Sequence, residues 1–569
     1  MNVASILSAA ALGAGFCAAL ASPAAAQANS FRDCDGFRPP SRTADGLHRR
    51  GESLFATPAR FAGIDLPSRV DAQLAAKGVS ACEAALASPL LLPEQNLRRA
   101  SLVRARGIYR LAAGDGAAAL ADFAESRQVA GSADPLYLRS LGLGTDMLSA
   151  YALHLAGRKD EAVAAARAAH AARPTNAELG TAAAMLILAA TGDWDAYAAA
   201  SRDVARYNPP AFLGLYTVAL LRGRFEEAVA LQPHIVLGVP STRDGTLVGG
   251  TAMLVAANFL TRIDIDGSAA FALAALGQRE RAEAELRSLT ERVDAALTEP
   301  RLPPGVTDQR SIRRELQRYR QISPHAANGR SRLASWRRMV DLQVMAANGR
   351  AAEAATQVLA EPVGATRFGL SLYEAIAAAD PGSRERLEPL IAAARRNVEG
   401  QLANLARLSL PEFVRLLPEA ENESRVSGYN RGSDGFLGNE GFMSREAAIP
   451  GARTVKFSTD QGTASTNSEM ALLRAAEMAL EQNMSGFVVL DRRVLQRTLV
   501  TSQYGAEVSR DHEGFVAEID VVFVNRDALP AGISAAPWRY IDAEDVRARL
   551  APVYVRRGPP ATQGRRGRN

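Results

Sequence analysis

One local phrase recurs along this chain and constrains its fold more than any bulk property. An apolar helical stretch runs into a glycine, and a second helical stretch begins a residue or two later. The phrase stands at Gly114 after Leu111, Gly157 after Leu155, Gly192 after Ala190, Gly223 after Leu221, Gly277 after Ala275 and Gly349 after Ala347. A glycine in that place ends a helix in the left-handed conformation, which any Cβ would penalise. Five residues further on come Ala119, Ala162, Ala228, Ala282 and Ala354, with Tyr197 the exception. A small side chain there lets the second helix cross closely against the first. Pro135, Pro174 and Pro209 then stop the second helix and turn the chain. Repetition of this kind predicts an array of helix pairs.

These features resemble those of tetratricopeptide repeats. The segment from Leu143 to Asn176 reads as a full copy of about 34 residues. Ala150 takes the small position of the first helix, Gly157 the turn, Ala162 and Ala169 the small positions of the second, and Pro174 the close. Gly107, Ala119 and Phe123 fit the copy before it; Phe212, Leu215, Phe225 and Ala228 fit the one around Gly223. The resemblance covers roughly residues 80–362, broken at Glu299–Thr307 by Pro300, Pro303 and Pro304. It implies a concave face, made by the first helices, that holds peptides. By matching positions, Ile108, Tyr151, Leu186 and Thr217 line its floor, with Met147 and His154 one turn away. Gripping a C-terminal carboxylate there would take several basic and amide groups, and only Arg104 falls at a suitable place, so no carboxylate clamp is expected. The same apolar positions also fit a helix face packed against an adjoining helix.

The ends of the chain speak to compartment. From Ala4 to Ala26 there is no charged residue, and Ala24-Ala25-Ala26 before Gln27 offers the small residues a signal peptidase accepts. Residues 1–26 are therefore read as a signal peptide, with an uncleaved anchor as the alternative. Its removal leaves Cys34 and Cys82, which an oxidising compartment would bridge; two free thiols are the other reading. No other window of about 20 residues is apolar enough to span a bilayer. The formal net charge is +5, and Arg556, Arg557, Arg565, Arg566 and Arg568 supply five positive charges in a tail, 556–569, without an acid. The remaining body is then about neutral, and no nucleic-acid surface is expected. Membrane contact, if any, falls to the signal or to this tail.

The expected architecture is mainly α: a loop-rich segment at 27–79, the repeat-like array at 80–410, a Pro/Gly-rich linker at 411–451 and a small α+β domain at 452–555. Composition agrees, since 47% of the residues are hydrophobic yet only 6% are aromatic. The linker carries Gly428, Gly432, Gly435, Gly438 and Gly441 among polar residues. In the last domain, Thr454–Phe457 reads as a strand and Thr466-Asn-Ser-Glu469 as a capping box opening a helix. Strands are expected at 497–508 and 515–525, joined by a polar turn at Asp511–Gly514. Array and domain are expected to fold separately. The helix followed by Gly486-Phe-Val-Val-Leu-Asp resembles small proteobacterial envelope proteins of unassigned activity, which supplies no function.

Little in the sequence carries chemistry. The histidines lack the i, i+4 or i, i+3 spacing of paired metal ligands, so no metal or other cofactor is expected. His512 lies near Ser509 and Asp511 without a nucleophile elbow, and reads as a turn residue. Glu518 and Asp520 share one face of a strand and read as solvated, although paired carboxylates can also divide acid and base roles. The preferred function is an exported, periplasmic or secreted scaffold that docks a protein or peptide partner. The alternative is an envelope enzyme with its site in the C-terminal domain and the repeats as substrate adaptor.

Overall fold

The computed structural model describes residues 23–555 apart from 43–44, 48–65, 67–70, 132–134, 238–249, 301–308, 419–440, 448, 460–462, 504–505 and 535. The chain forms a helical array followed by a small antiparallel sheet with its own helices. It divides into two compact units. One comprises Met1–Val204, Leu408–Val488 and Val494–Asn569; the other comprises Ala205–Arg407 and Val489–Arg493.

The first unit holds successive helix pairs, Asn96–Ala112 with Gly116–Ala130 and Leu141–Leu155 with Lys159–Ala172, followed by Ala177–Thr191. At the turns Gly114, Gly157 and Gly192 take φ of 83°, 76° and 68°, the left-handed backbone that lets a helix stop within one residue. Polar side chains then start the next helix: the carboxylate of Asp115 accepts from the Ala118 amide at 3.0 Å, and Asn176 accepts from the Leu179 amide at 3.0 Å. Ala119 and Ala162 are fully buried at the crossings. Where Tyr197 replaces the alanine, its ring instead meets Trp194 edge to face at 5.8 Å, and the buried small residue is the next one, Ala198.

An N-terminal helix, Pro23–Asp35, is tied to the helix Ala72–Leu86 by the Cys34–Cys82 disulfide. Beside it Arg98 is fully buried, ion-paired with Asp35 and lying over the rings of Phe31 and Phe37 at 5.4 and 5.6 Å. The segment expected to be loop-rich, 27–79, thus carries most of one helix and the start of another. Its apolar spacing is too short for a periodicity reading, and the disulfide and the buried ion pair supply the order instead.

The second unit repeats the pairing logic. Gly223, Gly277 and Gly349 have φ of 71°, 74° and 78°, and Ala228, Ala282 and Ala354 are fully buried behind them. Its helices run Ala211–Leu221, Phe225–Leu231, Gly250–Ala275, Arg279–Leu297, Gln309–Ile322, Ala326–Ala347, Ala351–Ala360, Arg367–Ala379 and Arg384–Leu405. Phe368 joins its core, stacked edge to face on Phe271 at 5.4 Å and on Trp336 at 4.9 Å. The proline-rich break at Glu299–Thr307 lies almost wholly outside the described residues.

The sheet contains β1 (Gly441–Glu446), β2 (Arg453–Thr459), β3 (Gly486–Gln503), β4 (Ala506–Val524) and β5 (Ile541–Asp542) in the order β1-β2-β4-β3-β5. The β2–β4 register sets Val455 opposite Ile519 and Phe457 opposite Ala517. These four residues are fully buried, on the face against which the helix Ala464–Glu481 packs.

Several boundaries differ from the sequence reading. The first residues of the expected linker are helical: Pro411 sits in the first turn of a helix, Leu410–Arg415, where its missing N–H is no loss. Gly441, the last of the linker glycines, opens β1 with φ of 102°; the other four lie outside the described residues. The helix after β2 starts at Ala464, capped by Thr463, whose hydroxyl accepts from the Thr466 amide at 3.2 Å. Glu469 is therefore free of the capping box assigned to it. The Asp511–Gly514 stretch lies inside β4, and Gly486–Leu490 and the expected strand at 497–508 belong largely to the long strands β3 and β4. The polar composition of 511–514 suggests a turn, but a long strand tolerates such residues. The boundary between the two compact units falls within 80–410, at Val204–Ala205 and again at Arg407–Leu408.

Candidate functional site

The floor inferred from the repeat positions is built by three first helices of the first unit. Ile108 comes from Asn96–Ala112, Met147 and Tyr151 from Leu141–Leu155, and Leu186 from Ala177–Thr191. All four are buried in one core cluster, and the residues that complete it are Leu410, Phe413, Val414 and Leu417 of the same chain. The floor is thus already occupied. Phe413 stacks on Tyr151 with ring centroids 4.7 Å apart and planes tilted by 31°, and the Tyr151 hydroxyl donates to the Leu408 carbonyl at 3.5 Å. Burial raises the Tyr151 phenol to about 12, so it remains a donor at any physiological pH.

Arg104 closes one end of this floor. Its guanidinium is buried and donates from Nη2 to the Pro418 carbonyl at 3.3 Å, while its Nε has no hydrogen-bond partner. Desolvation lowers it to about 10, with nearby Tyr137 acting in the opposite direction. Gly144 makes the approach possible: a Cβ there would lie 2.7 Å from both Arg104 Nη2 and the Pro418 oxygen. His154, half-buried, lies with its ring 6.3 Å from that of Tyr151. Burial first and Lys159 second lower its basicity. Thr217 is not brought to this site. It belongs to the other unit, is exposed, and its hydroxyl donates back to the Leu213 carbonyl at 2.8 Å.

The segment 408–418 that fills the floor falls, in the sequence reading, at the junction of the array and the Pro/Gly-rich linker expected from 411. Its signal was legible: Leu410, Phe413, Val414 and Leu417 stand at i, i+3, i+4 and i+7, one apolar face of a helix. A helix of six residues would not persist alone. Its stability comes from the floor, with Ser409 capping it by accepting from the Glu412 amide.

A second buried constellation escaped the sequence reading. Glu469 is 1% exposed and accepts from Arg173 Nη1 at 3.0 Å, Thr175 Oγ1 at 2.6 Å and the Tyr554 hydroxyl at 2.6 Å. Desolvation works against the Arg173 charge, but Glu469, foremost among its neighbours, holds its basicity above the ordinary value. These groups come from a second helix's end, from the helix over the sheet and from the C-terminal helix Ala543–Tyr554. No sequence spacing announces such a contact. Residues 141–172 share one compact unit with 453–488 and 494–554, and this buried ion pair lies within that unit.

Glu518 and Asp520 are not solvated: they are 5% and 8% exposed on the sheet face opposite the core. Thr454 Oγ1 donates to Asp520 at 2.6 Å, and Arg445 lies 3.9 Å from Glu518. Both carboxylates are engaged by neighbours, which suits a buried polar face better than an acid–base pair. The side chain of His512 lies outside the described residues. Among the described residues no three His, Cys, Asp or Glu side chains gather as a metal site, and no helix is long and apolar enough to cross a membrane. No protein-family model matches the sequence, and no curated protein matches it.

Proposed function

We propose that this chain is an exported interaction scaffold of the tetratricopeptide-repeat type, acting in the bacterial periplasm or outside the cell. Its concave floor, Ile108, Met147, Tyr151 and Leu186 with Arg104 at one end, binds short apolar helical segments of protein partners. One observation carries this reading: the floor already holds such a segment, residues 408–418, by an apolar face and a buried arginine on a backbone carbonyl. The repeat assignment rests on the six left-handed turn glycines and the five buried alanines behind them. Export rests on the Ala24-Ala25-Ala26 site and is supported by the Cys34–Cys82 disulfide.

The test places a photoreactive phenylalanine analogue at Tyr151 in cells, in the wild-type chain and in a chain whose own segment is weakened by Phe413→Asp. A scaffold gives a cross-linked partner in the envelope fraction, stronger with Phe413→Asp. Cross-links confined to the chain's own 408–418 segment in both backgrounds would remove the scaffold reading.

A further inference from the structure

The dipeptide Asn-Gly occurs twice in the sequence, each time inside the same pentapeptide, Ala-Ala-Asn-Gly-Arg, at Ala326–Arg330 and at Ala346–Arg350. Asparagine before glycine is prone to ring closure, because no Cβ on the glycine hinders the approach of its nitrogen to the side-chain amide. The local sequence cannot separate the two copies. The fold does.

The first copy opens the helix Ala326–Ala347. Gly329 is buried there, and a Cβ on it would stand 2.9 Å from the Phe259 ring and 3.4 Å from Ile263 Cδ1, so its backbone packs closely against the helix Gly250–Ala275. The side-chain oxygen of Asn328 accepts from Arg332 Nε at 3.2 Å. Bringing Asn328 Cγ onto the Gly329 nitrogen would rotate this backbone out of the helix and lift Gly329 off Phe259.

The second copy ends the same helix. Asn348, with φ of −101° and ψ of 28°, lies just past the last helical residue, and Gly349 takes φ of 78°. Both are exposed, and a Cβ on Gly349 would meet nothing within 4 Å. The other turn glycines, Gly114, Gly157, Gly192, Gly223 and Gly277, each donate their N–H to a carbonyl of the helix they end. Among the described residues the Gly349 N–H has no acceptor, and the Asn348 side-chain amide has no hydrogen-bond partner. Nucleophile and electrophile are thus adjacent and unhindered, in a turn that can rotate without disturbing a packed face.

We infer that Asn348–Gly349 is a site of spontaneous deamidation in the folded protein, and that Asn328–Gly329 is protected. The Gly349 backbone nitrogen attacks Cγ of Asn348. The new C–N bond closes a cyclic imide, the Cγ–Nδ2 bond breaks, and Nδ2 leaves as ammonia with the proton given up by the Gly349 nitrogen. Water then opens the imide at either carbonyl, leaving aspartate or β-linked isoaspartate at 348. Either product places a carboxylate at the C-terminal end of Ala326–Ala347, where the helix's free carbonyls oppose it. The β-linked product also adds a backbone carbon to Asn348–Arg350, the whole connection into Ala351–Ala360. The change therefore falls on the turn that seats Ala354 at its crossing.

Incubation of the full chain in heavy-oxygen water at mildly alkaline pH tests it, followed by trypsin digestion in ordinary water and mass spectrometry. Opening of the imide before digestion leaves a heavy oxygen in the new carboxylate, so the label reports on the intact protein alone. Trypsin frees the two copies on separate peptides, 321–330 and 339–350. In the native chain the label is expected in 339–350, with 321–330 slower by about tenfold or more, because reaction there waits for the helix to open locally. In urea the two peptides are expected to label alike, since their pentapeptides are the same. Asn348→Gln should remove the label from 339–350 and leave 321–330 unchanged. The inference is overturned if the native chain labels both peptides at one rate, if it labels 321–330 first, or if 339–350 stays unlabelled while the urea-unfolded chain reacts.

Discussion

Replacing Glu469 by alanine strips from Arg173, whose side chain is 7% exposed, the only carboxylate paired with it among the described residues. Two further donors, Thr175 and Tyr554, lose their acceptor at the same time. Breaking a buried ion pair from one side destabilises by about 3–5 kcal/mol, because the remaining charge stays desolvated. An exposed pair would lose at most about 1 kcal/mol. The assay is urea unfolding followed by circular dichroism, with the midpoint expected to fall and the slope to stay unchanged. The double variant Glu469→Leu with Arg173→Met removes both charges together and is expected to recover much of the loss. A further consequence concerns autonomy: a fragment from about residue 450 onward carries Glu469 without Arg173 and is expected not to melt cooperatively. The reasoning is refuted if Glu469→Ala stays within about 1 kcal/mol of wild type, or if that fragment folds as a unit.

Three other outcomes follow. Reducing the Cys34–Cys82 disulfide, which joins residues 48 apart, should lower stability by about 4 kcal/mol in the chain-entropy model; thermal melts with and without reductant read this. Ala162→Leu adds methylenes at a fully buried crossing and should destabilise by about 1–3 kcal/mol, whereas an unchanged melting midpoint would show that the helices do not cross there. His154 is held below its ordinary value of 6.5 by burial and by Lys159. Its unfolded form therefore takes up the proton first, and the stability it contributes above about pH 6.5 is lost as pH falls towards the folded value. His154→Asn should flatten that part of the melting-temperature profile, and an identical profile would discount the histidine.

How much was legible in the sequence follows the range of the interactions. Turn glycines and crossing alanines are local features, fixed by backbone geometry and by the distance between two paired helices, and they stand where the phrase put them. The floor residues Ile108, Met147, Tyr151 and Leu186 were also legible as one surface, since a helical repeat projects equivalent positions to one side. What covers them was not. The Tyr151–Leu408 and Arg104–Pro418 contacts join positions 257 and 314 residues apart, and nothing in a local period encodes such pairs. Glu518 and Asp520 mislead for a related reason: alternation along β4 tells which face a carboxylate is on, but not whether that face is covered. Thr217 fell elsewhere because matching by repeat position assumes an unbroken array, and the chain passes from the first unit to the second after Val204.

The claim that the floor is a binding surface, rather than simply a buried core, rests on its accepting a helix that is not covalently part of it. The direct measurement uses the full chain with Phe413→Asp and Val414→Asp, which withdraw two anchors of the resident segment, and a fluorescent peptide spanning residues 406–418. The account predicts saturable binding by anisotropy to the opened chain and far weaker binding to wild type. Met147→Glu added in the floor should abolish it. No binding to an opened chain that keeps its helicity and its disulfide would contradict the account.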